Sequence, residues 1–173
     1  MTYTAPRPLV ADDDIDSFTS RSAEQTDWLR RHARPSMAGS LTRVLVVPVS
    51  DSSEIAAYYA WTMAQIHVDD APARLLKGSG RYPQPVALLA RLAVAQDHEG
   101  QGLGAALVRD VIERTSAISD EIGCRGLLVH AESDDARSFY LHLIPEFEQS
   151  PTDPLHLVLL LKDIKATLRS LSG

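Results

Sequence analysis

The residues whose types and spacing point most directly to chemistry lie in Leu88–Leu107. There an apolar run ending Arg91-Leu-Ala-Val94 gives way to Glu99-Gly-Gln-Gly-Leu-Gly104 and then to Ala105-Ala-Leu107. This pattern reads as a strand, a glycine turn and a helix start. Gly100, Gly102 and Gly104 permit positive φ and close backbone approach. The first N–H groups of the following helix find no acceptor inside it, and the positive end of the helix dipole lies behind them. An anion is the natural occupant. Gly100-x-Gly102-x-x-Ala105 also satisfies the dinucleotide fingerprint, with Asp120 and Glu121 at the distance of a ribose contact. That motif normally opens its domain, whereas here about a hundred residues come first and about seventy follow. A glycine turn that merely joins a strand to a helix is the plainer alternative. A P-loop is excluded, because no Gly-Lys-Ser/Thr follows.

A second group of reactive side chains falls in His130-Ala-Glu-Ser-Asp-Asp-Ala136-Arg-Ser-Phe139-Tyr140, which closes an apolar strand and opens a helix. His130 and Glu132 are the best-placed candidates for a general base, with Asp69 and Asp70 behind them, although none is convincing and a structural role or helix capping is the better explanation of each. By spacing alone Tyr140 is a core aromatic. Cys124 is the single cysteine. One cysteine permits neither an internal disulfide nor a cysteine zinc site, and its place before an apolar strand marks a buried thiol rather than a nucleophile. No metal site is expected. Arg91 interrupts an apolar strand, so its side chain must reach solvent or line an acceptor cleft; we expect the cleft.

The elements that must position these groups follow from pattern. Strands are expected over Leu9–Ala11, Thr42–Val49, Ile55–Val68, Pro85–Val94, Gly126–His130 and Leu155–Leu161. Ser22-Ala-Glu-Gln25 resembles a capping box that opens a helix through His32, which Pro35 ends. Further helices are expected over Pro72–Lys77, Leu103–Ile122 and Asp134–Leu143, with Ile164–Leu171 helical or frayed. This order implies one α/β domain over 1–173, a mixed, mostly antiparallel central sheet with helices on both faces.

At 173 residues, 45% hydrophobic and 23% charged, the chain is long enough to bury one core. It lacks a signal-peptide pattern and a membrane-length apolar run, so a cytoplasmic location is expected. The net charge of −6 counts against nucleic-acid binding, yet the charge is polarised. Residues 28–91 hold eight bases against four acids, and no acid occurs from Ala71 through Gln96. A local basic face can steer a phosphate backbone on an acidic protein.

Gln101-x-x-Gly104-x-Ala106 resembles the pyrophosphate-binding signature of the GNAT N-acetyltransferases, which use acetyl-CoA. The resemblance implies that Gln101, Gly102, Leu103, Gly104, Ala105, Ala106 and Ser133 bind the cofactor, with strand N–H groups of Leu92, Ala93 and Val94 pairing with its pantetheine arm. It also assigns Tyr140 as the general acid that protonates the leaving thiolate. Asp16-Ser-Phe18, Trp28-Leu-Arg-Arg-His-Ala33, Ala56-Ala-Tyr-Tyr-Ala60, Ala136-Arg-Ser-Phe-Tyr140 and the tail from Ser150 to Asp163 extend the resemblance over nearly the whole chain. They are similar to the acetyltransferase toxins of bacterial toxin–antitoxin pairs, which acetylate the amino group of aminoacyl-tRNA and are neutralised by a ribbon-helix-helix antitoxin.

That resemblance implies aminoacyl-tRNA as acceptor, an antitoxin partner, no membrane partner and a homodimer. Arg30, Arg31, Arg34, Arg74, Lys77, Arg81 and Arg91 would contact the tRNA. An α-amine, pKa about 7.7–8, needs less help from a base than a lysine near ~10.4, which agrees with the lack of an obvious base. The chain departs from the family where Thr19-Ser20 replace Cys-Gly after Phe18, where Ser133 replaces Asn, and in the longer, glycine-free Tyr140–Phe147 segment. Other acceptors of the same fold are a small-molecule amine or a peptide N-terminus; a catalytically silent acyl-CoA-binding module is the reading from another class.

Overall fold

The computed structural model describes residues 2–172. Two compact units share its strands and helices: the residues up to 62 with Ala90–Asp110, and Met63–Leu89 with the residues from Val111 on. The elements in chain order are β1 (Arg7–Pro8), α1 (Ala23–Arg31), α2 (Ala33–Ala38), β2 (Arg43–Pro48), β3 (Ile55–Ile66), α3 (Ala73–Leu76), β4 (Gln84–Val94), α4 (Leu103–Ile118), β5 (Gly126–His130), α5 (Asp134–Leu143), β6 (Glu148–Gln149), β7 (His156–Leu160) and α6 (Leu161–Ser172). The strands form a seven-stranded sheet in the order β1-β2-β3-β4-β5-β7-β6, mixed and mostly antiparallel as expected.

In the first unit, β2 and β3 pair antiparallel from Arg43↔Trp61 to Val47↔Ala57, and the register slips at Pro48, which has no N–H to give a ladder. Val44–Val47 and Ile55–Ala60 are buried on both faces, so these strands are continuously apolar rather than alternating. The Ser22 side chain caps α1 by accepting from the Gln25 N–H at 3.1 Å. Tyr58 on β3 then anchors the helix: its hydroxyl donates to the Gln25 carbonyl at 2.7 Å, and its ring stacks on Trp28. Leu29, Ala33, Phe18, Ile15 and Val46 close this core.

Two expectations change here. The first strand lies at Arg7–Pro8 instead of Leu9–Ala11, because Asp13 takes two hydrogen bonds from Arg7 and one from the Val10 N–H, pulling 10–13 into a turn. Pro35 does not end helical structure. It sits in the first turn of α2, where a missing N–H costs no intrahelical bond.

In the second unit, β4 and β5 form a short parallel ladder, Ala87↔Leu127 to Leu89↔Val129, and β5 pairs antiparallel with β7 from Gly126↔Leu160 to His130↔His156. Val86, Leu128, Val158 and Leu160 pack with Leu75 of α3 and Ile66. Arg74 braces this region through Glu148 at 3.2 Å and Asp163 at 3.1 Å. The long helix stops at Ile118 instead of Ile122, where the Ser119 hydroxyl donates to the Ser116 carbonyl and the chain tightens into turns. The last strand yields to α6 at Leu161, whose N–H donates to the Arg125 carbonyl. Strand β6, two residues long, is held by pairing with β7 and carries no periodic signal.

A Cβ on Gly126 would lie 2.3 Å from the Leu159 carbonyl oxygen. Gly126→Ala is therefore expected to destabilise the protein by about 2 kcal/mol or more, seen as a lower urea midpoint at unchanged slope. An unchanged midpoint would show that the strands can part at no cost.

Candidate active site

The glycine turn has the geometry of an anion cradle. Gly100 and Gly102 both have φ of +77°, a conformation that favours glycine, and nothing lies within 4 Å of a side chain built on either. The first helical hydrogen bond of α4 runs from Ala106 N–H to the Gly102 carbonyl at 3.1 Å. The N–H groups of Leu103, Gly104 and Ala105 precede it and are left for a ligand. The first turn of α4 contains no acidic residue, so no side-chain charge offsets the positive dipole end. Gln101, Gly102 and Ala106 are exposed, Gly104 and Ala105 are half-buried, and Leu103 turns into the core.

Leu92 and Val94 of β4 are half-buried, while Ala93 points into the first core, as strand alternation requires. Arg91 departs from the expectation of a cleft position. Its guanidinium donates to Glu24 at 2.9 Å and lies 5.6 Å over the Trp28 ring, which ties β4 to α1.

In the second unit, α5 is capped by Ser133, whose Oγ accepts from the Ala136 N–H at 3.2 Å, so this hydroxyl has a structural task. Tyr140 is buried on the same helix, edge-to-face against Phe139 and Phe147. Its hydroxyl has no hydrogen-bond partner among the described residues. Burial, seconded by the negative charge of Glu132, raises its pKa well above the usual 10.0. The phenol therefore stays protonated and available as a donor at neutral pH.

His130 stacks on His156, ring centroids 3.9 Å apart, across the β5–β7 ladder. The stacked face loses hydration, and that desolvation together with the charge of His156 lowers the His130 pKa; Asp153 opposes the shift. Asp70 accepts through its backbone carbonyl from the Ser150 hydroxyl at 2.7 Å and through its side chain from Thr152.

Most of the expected tRNA-contacting arginines have internal partners. Arg30 donates to the Phe18 carbonyl, Arg34 to the Val10, Ala11 and Asp13 carbonyls, and Arg31 pairs with Asp27. Lys77 and Arg81 are exposed. The sequence did not single out His98, a buried imidazole just before the cradle, because its partners lie far away along the chain.

A family profile described as acetyltransferase (GNAT) domain matches residues 55–143. The tRNA-acetylating toxin of Mycobacterium tuberculosis (strain ATCC 25618 / H37Rv) is 41% identical over 166 residues, covering 96% of this chain and 97% of that protein. Two solved structures share the fold. AtaT complexed with acetyl-methionyl-tRNAfMet matches with a TM-score of 0.87 at 22% identity, over 96% of this chain and 99% of that one. AtaTR bound with AcCoA matches with a TM-score of 0.82 at 22% identity, over 96% and 98%. The chain belongs to the GNAT acetyltransferases. It is an N-acetyltransferase whose acetyl donor is acetyl-CoA, and the open, acid-free start of α4 suits that donor's diphosphate. No helix among the described residues is long and apolar enough to cross a membrane.

Two outcomes are expected. Gly102→Val, which strains φ and covers the cradle N–H groups, should raise the KM for acetyl-CoA about tenfold or more while the fold persists by circular dichroism. His130 has its folded pKa below the ordinary imidazole value of 6.5. Its stabilising contribution is thus complete above that pH and is lost as pH falls, so His130→Asn should flatten the acid side of the stability profile.

Proposed function

We propose that this enzyme acetylates the α-amino group of aminoacyl-tRNA and so blocks translation, as the toxin of a toxin–antitoxin pair. The observation that carries this reading is the 41% identity to a tRNA-acetylating toxin along nearly the full length of both chains. Charged tRNA places the action in the cytoplasm. A ribbon-helix-helix antitoxin is the expected partner, and two copies of the chain would form the working enzyme.

Further support comes from a hollow of about 430 Å³ in the second unit, walled by Arg74, Lys77, Arg125 and Lys162 over an apolar floor that includes Leu75 and Leu160. Lys77 and Lys162 have no carboxylate partner among the described residues, and Arg125 carries a buried Nε without a hydrogen bond. Such a surface suits a phosphate backbone. A small amine or a peptide N-terminus is the second reading, favoured by the internal engagement of Arg30, Arg34, Arg74 and Arg91.

In the proposed reaction the α-amine attacks as its free base, which an amine of pKa about 7.7–8 supplies as roughly a tenth to a sixth of its molecules at neutral pH, far more than a lysine would. Acetyl-CoA, when bound, provides a thioester whose C–S bond breaks as the C–N bond forms. Tyr140 gives its phenolic proton to the departing sulfur. The proton shed by nitrogen on amide formation then restores the phenol. Leu103, Gly104 and Ala105 hold the diphosphate through their N–H groups, and the Leu92–Val94 backbone orients the pantetheine arm.

Labelled acetyl transfer to charged tRNA, against the same pool deacylated, tests this reading. Signal is expected on charged tRNA only, with Tyr140→Phe lowering kcat about a hundredfold at near-constant KM for acetyl-CoA. Because the Tyr140 pKa is shifted upward, kcat should show no alkaline decline below pH 10.0. Transfer to free amines but not to charged tRNA would favour the second reading.

A further inference from the structure

The segment Gln96–Glu99 that launches the glycine turn is held more firmly than a connecting loop requires. Its backbone is fixed by Ala95 N–H to the Ala56 carbonyl at 2.8 Å and by Gln96 N–H to the Thr19 carbonyl at 2.9 Å. Inside it, His98 is only 3% exposed. Its Nε2 lies 2.6 Å from Glu54 Oε1, and its Nδ1 lies 3.0 Å from the Tyr3 hydroxyl. The Tyr3 ring also meets the imidazole edge-to-face at 5.5 Å.

The chemistry of the carboxylate sets the direction of one bond. An ionised carboxylate only accepts, so Nε2 carries the hydrogen and donates to Glu54. Nδ1 pairs with the Tyr3 hydroxyl, a group able both to donate and to accept. Both anchors are themselves fixed. Tyr3 bridges to Val49, and Glu54 closes the β2–β3 turn by accepting from the Val49 N–H at 3.0 Å and donating its own N–H to Ser52 Oγ at 2.9 Å. The imidazole thus fastens the segment to the β2–β3 hairpin and to the N-terminal stretch around Tyr3 at once. Gly100, with φ of +77°, is two residues further on. Beyond Glu99, which pairs with Arg21 on the surface, His98 is the last buried side-chain anchor before the cradle.

We propose that His98 is a positioning residue of the acetyl-CoA site. Its bonds to Glu54 and Tyr3 fix the departure of the glycine turn, so that the N–H groups of Leu103–Ala105 are already aimed at the diphosphate before it arrives. This rests on reading the turn as the diphosphate cradle. Preorganisation of this kind acts on binding of the donor, not on the acyl-transfer step.

The test compares CoA with pantetheine, which lacks the diphosphate, by calorimetry, and acetyl-CoA with S-acetylpantetheine in steady-state transfer. His98→Leu should raise the Kd for CoA and the KM for acetyl-CoA about tenfold, with kcat within about twofold and with both pantetheine donors unaffected. His98→Gln, which can still donate to Glu54, should recover most of the loss, and Tyr3→Phe should raise the KM for acetyl-CoA about threefold. Should the leucine variant fail to fold, Tyr3→Phe and His98→Gln carry the comparison. Equal losses with CoA and pantetheine would overturn the proposal in favour of a purely structural histidine. Unchanged acetyl-CoA parameters in all variants would overturn it too. A native enzyme that binds CoA no more tightly than pantetheine would overturn the cradle reading itself, and with it the proposal.

Discussion

The start of α4 is the constraint around which the rest is arranged. A helix of sixteen residues has to begin with its first N–H groups facing open space, and it does so without an acidic side chain to offset the dipole. Unpaired donors at a helix end are ordinary at the surface but are useful only if they point in a fixed direction. Two glycines at positive φ supply the turn, and the tethers of Ala95, Gln96 and His98 supply the direction. Flanking residues divide the task. Leu103 and Leu107 bury themselves to hold the helix, while Gln101 and Ala106 remain exposed.

Arginine in this protein is largely a structural brace. Arg7 holds the turn at Asp13, Arg30 and Arg34 collect backbone carbonyls that no secondary structure satisfies, Arg74 clamps β6 to α6, and Arg91 joins β4 to α1. A guanidinium suits this use because its planar fork offers several donors at once. A polyanion would therefore have to be recognised through the cations left over, such as Lys77 and Lys162 of the basic hollow.

What the sequence made legible was the part governed by local rules. Strand β5 and helix α5 fall where the apolar run and the helix-opening pattern after His130 put them, and Ser22 caps α1 through Gln25 as the box pattern implies. The glycine spacing alone pointed to the positive-φ turn at Gly100 and Gly102. Long-range bonding decided the remainder. Strand β6 exists through its pairing with β7, the first strand moved because Asp13 captures Arg7, and Arg91 was claimed by Glu24, 67 positions away. The partners of His98 stand 95 and 44 positions off, so no window along the chain could have joined them. The turn was readable because it is written in backbone freedom, whereas its supports are written in side-chain contacts between distant segments.

The junction between β7 and α6 has a further consequence. Leu160 closes the strand and Leu161 opens the helix, with no connecting residue between them. Strand register and helix phase are therefore locked together. Each residue of an α-helix advances its face by about 100°, so one inserted or deleted residue here would swing buried Ile164 away from the core and carry Asp163 off Arg74. Substitutions that keep size and polarity can be absorbed at this corner, but changes of length cannot. Across related chains, the boundary should vary in letters while the count of residues from β7 to the buried face of α6 stays fixed.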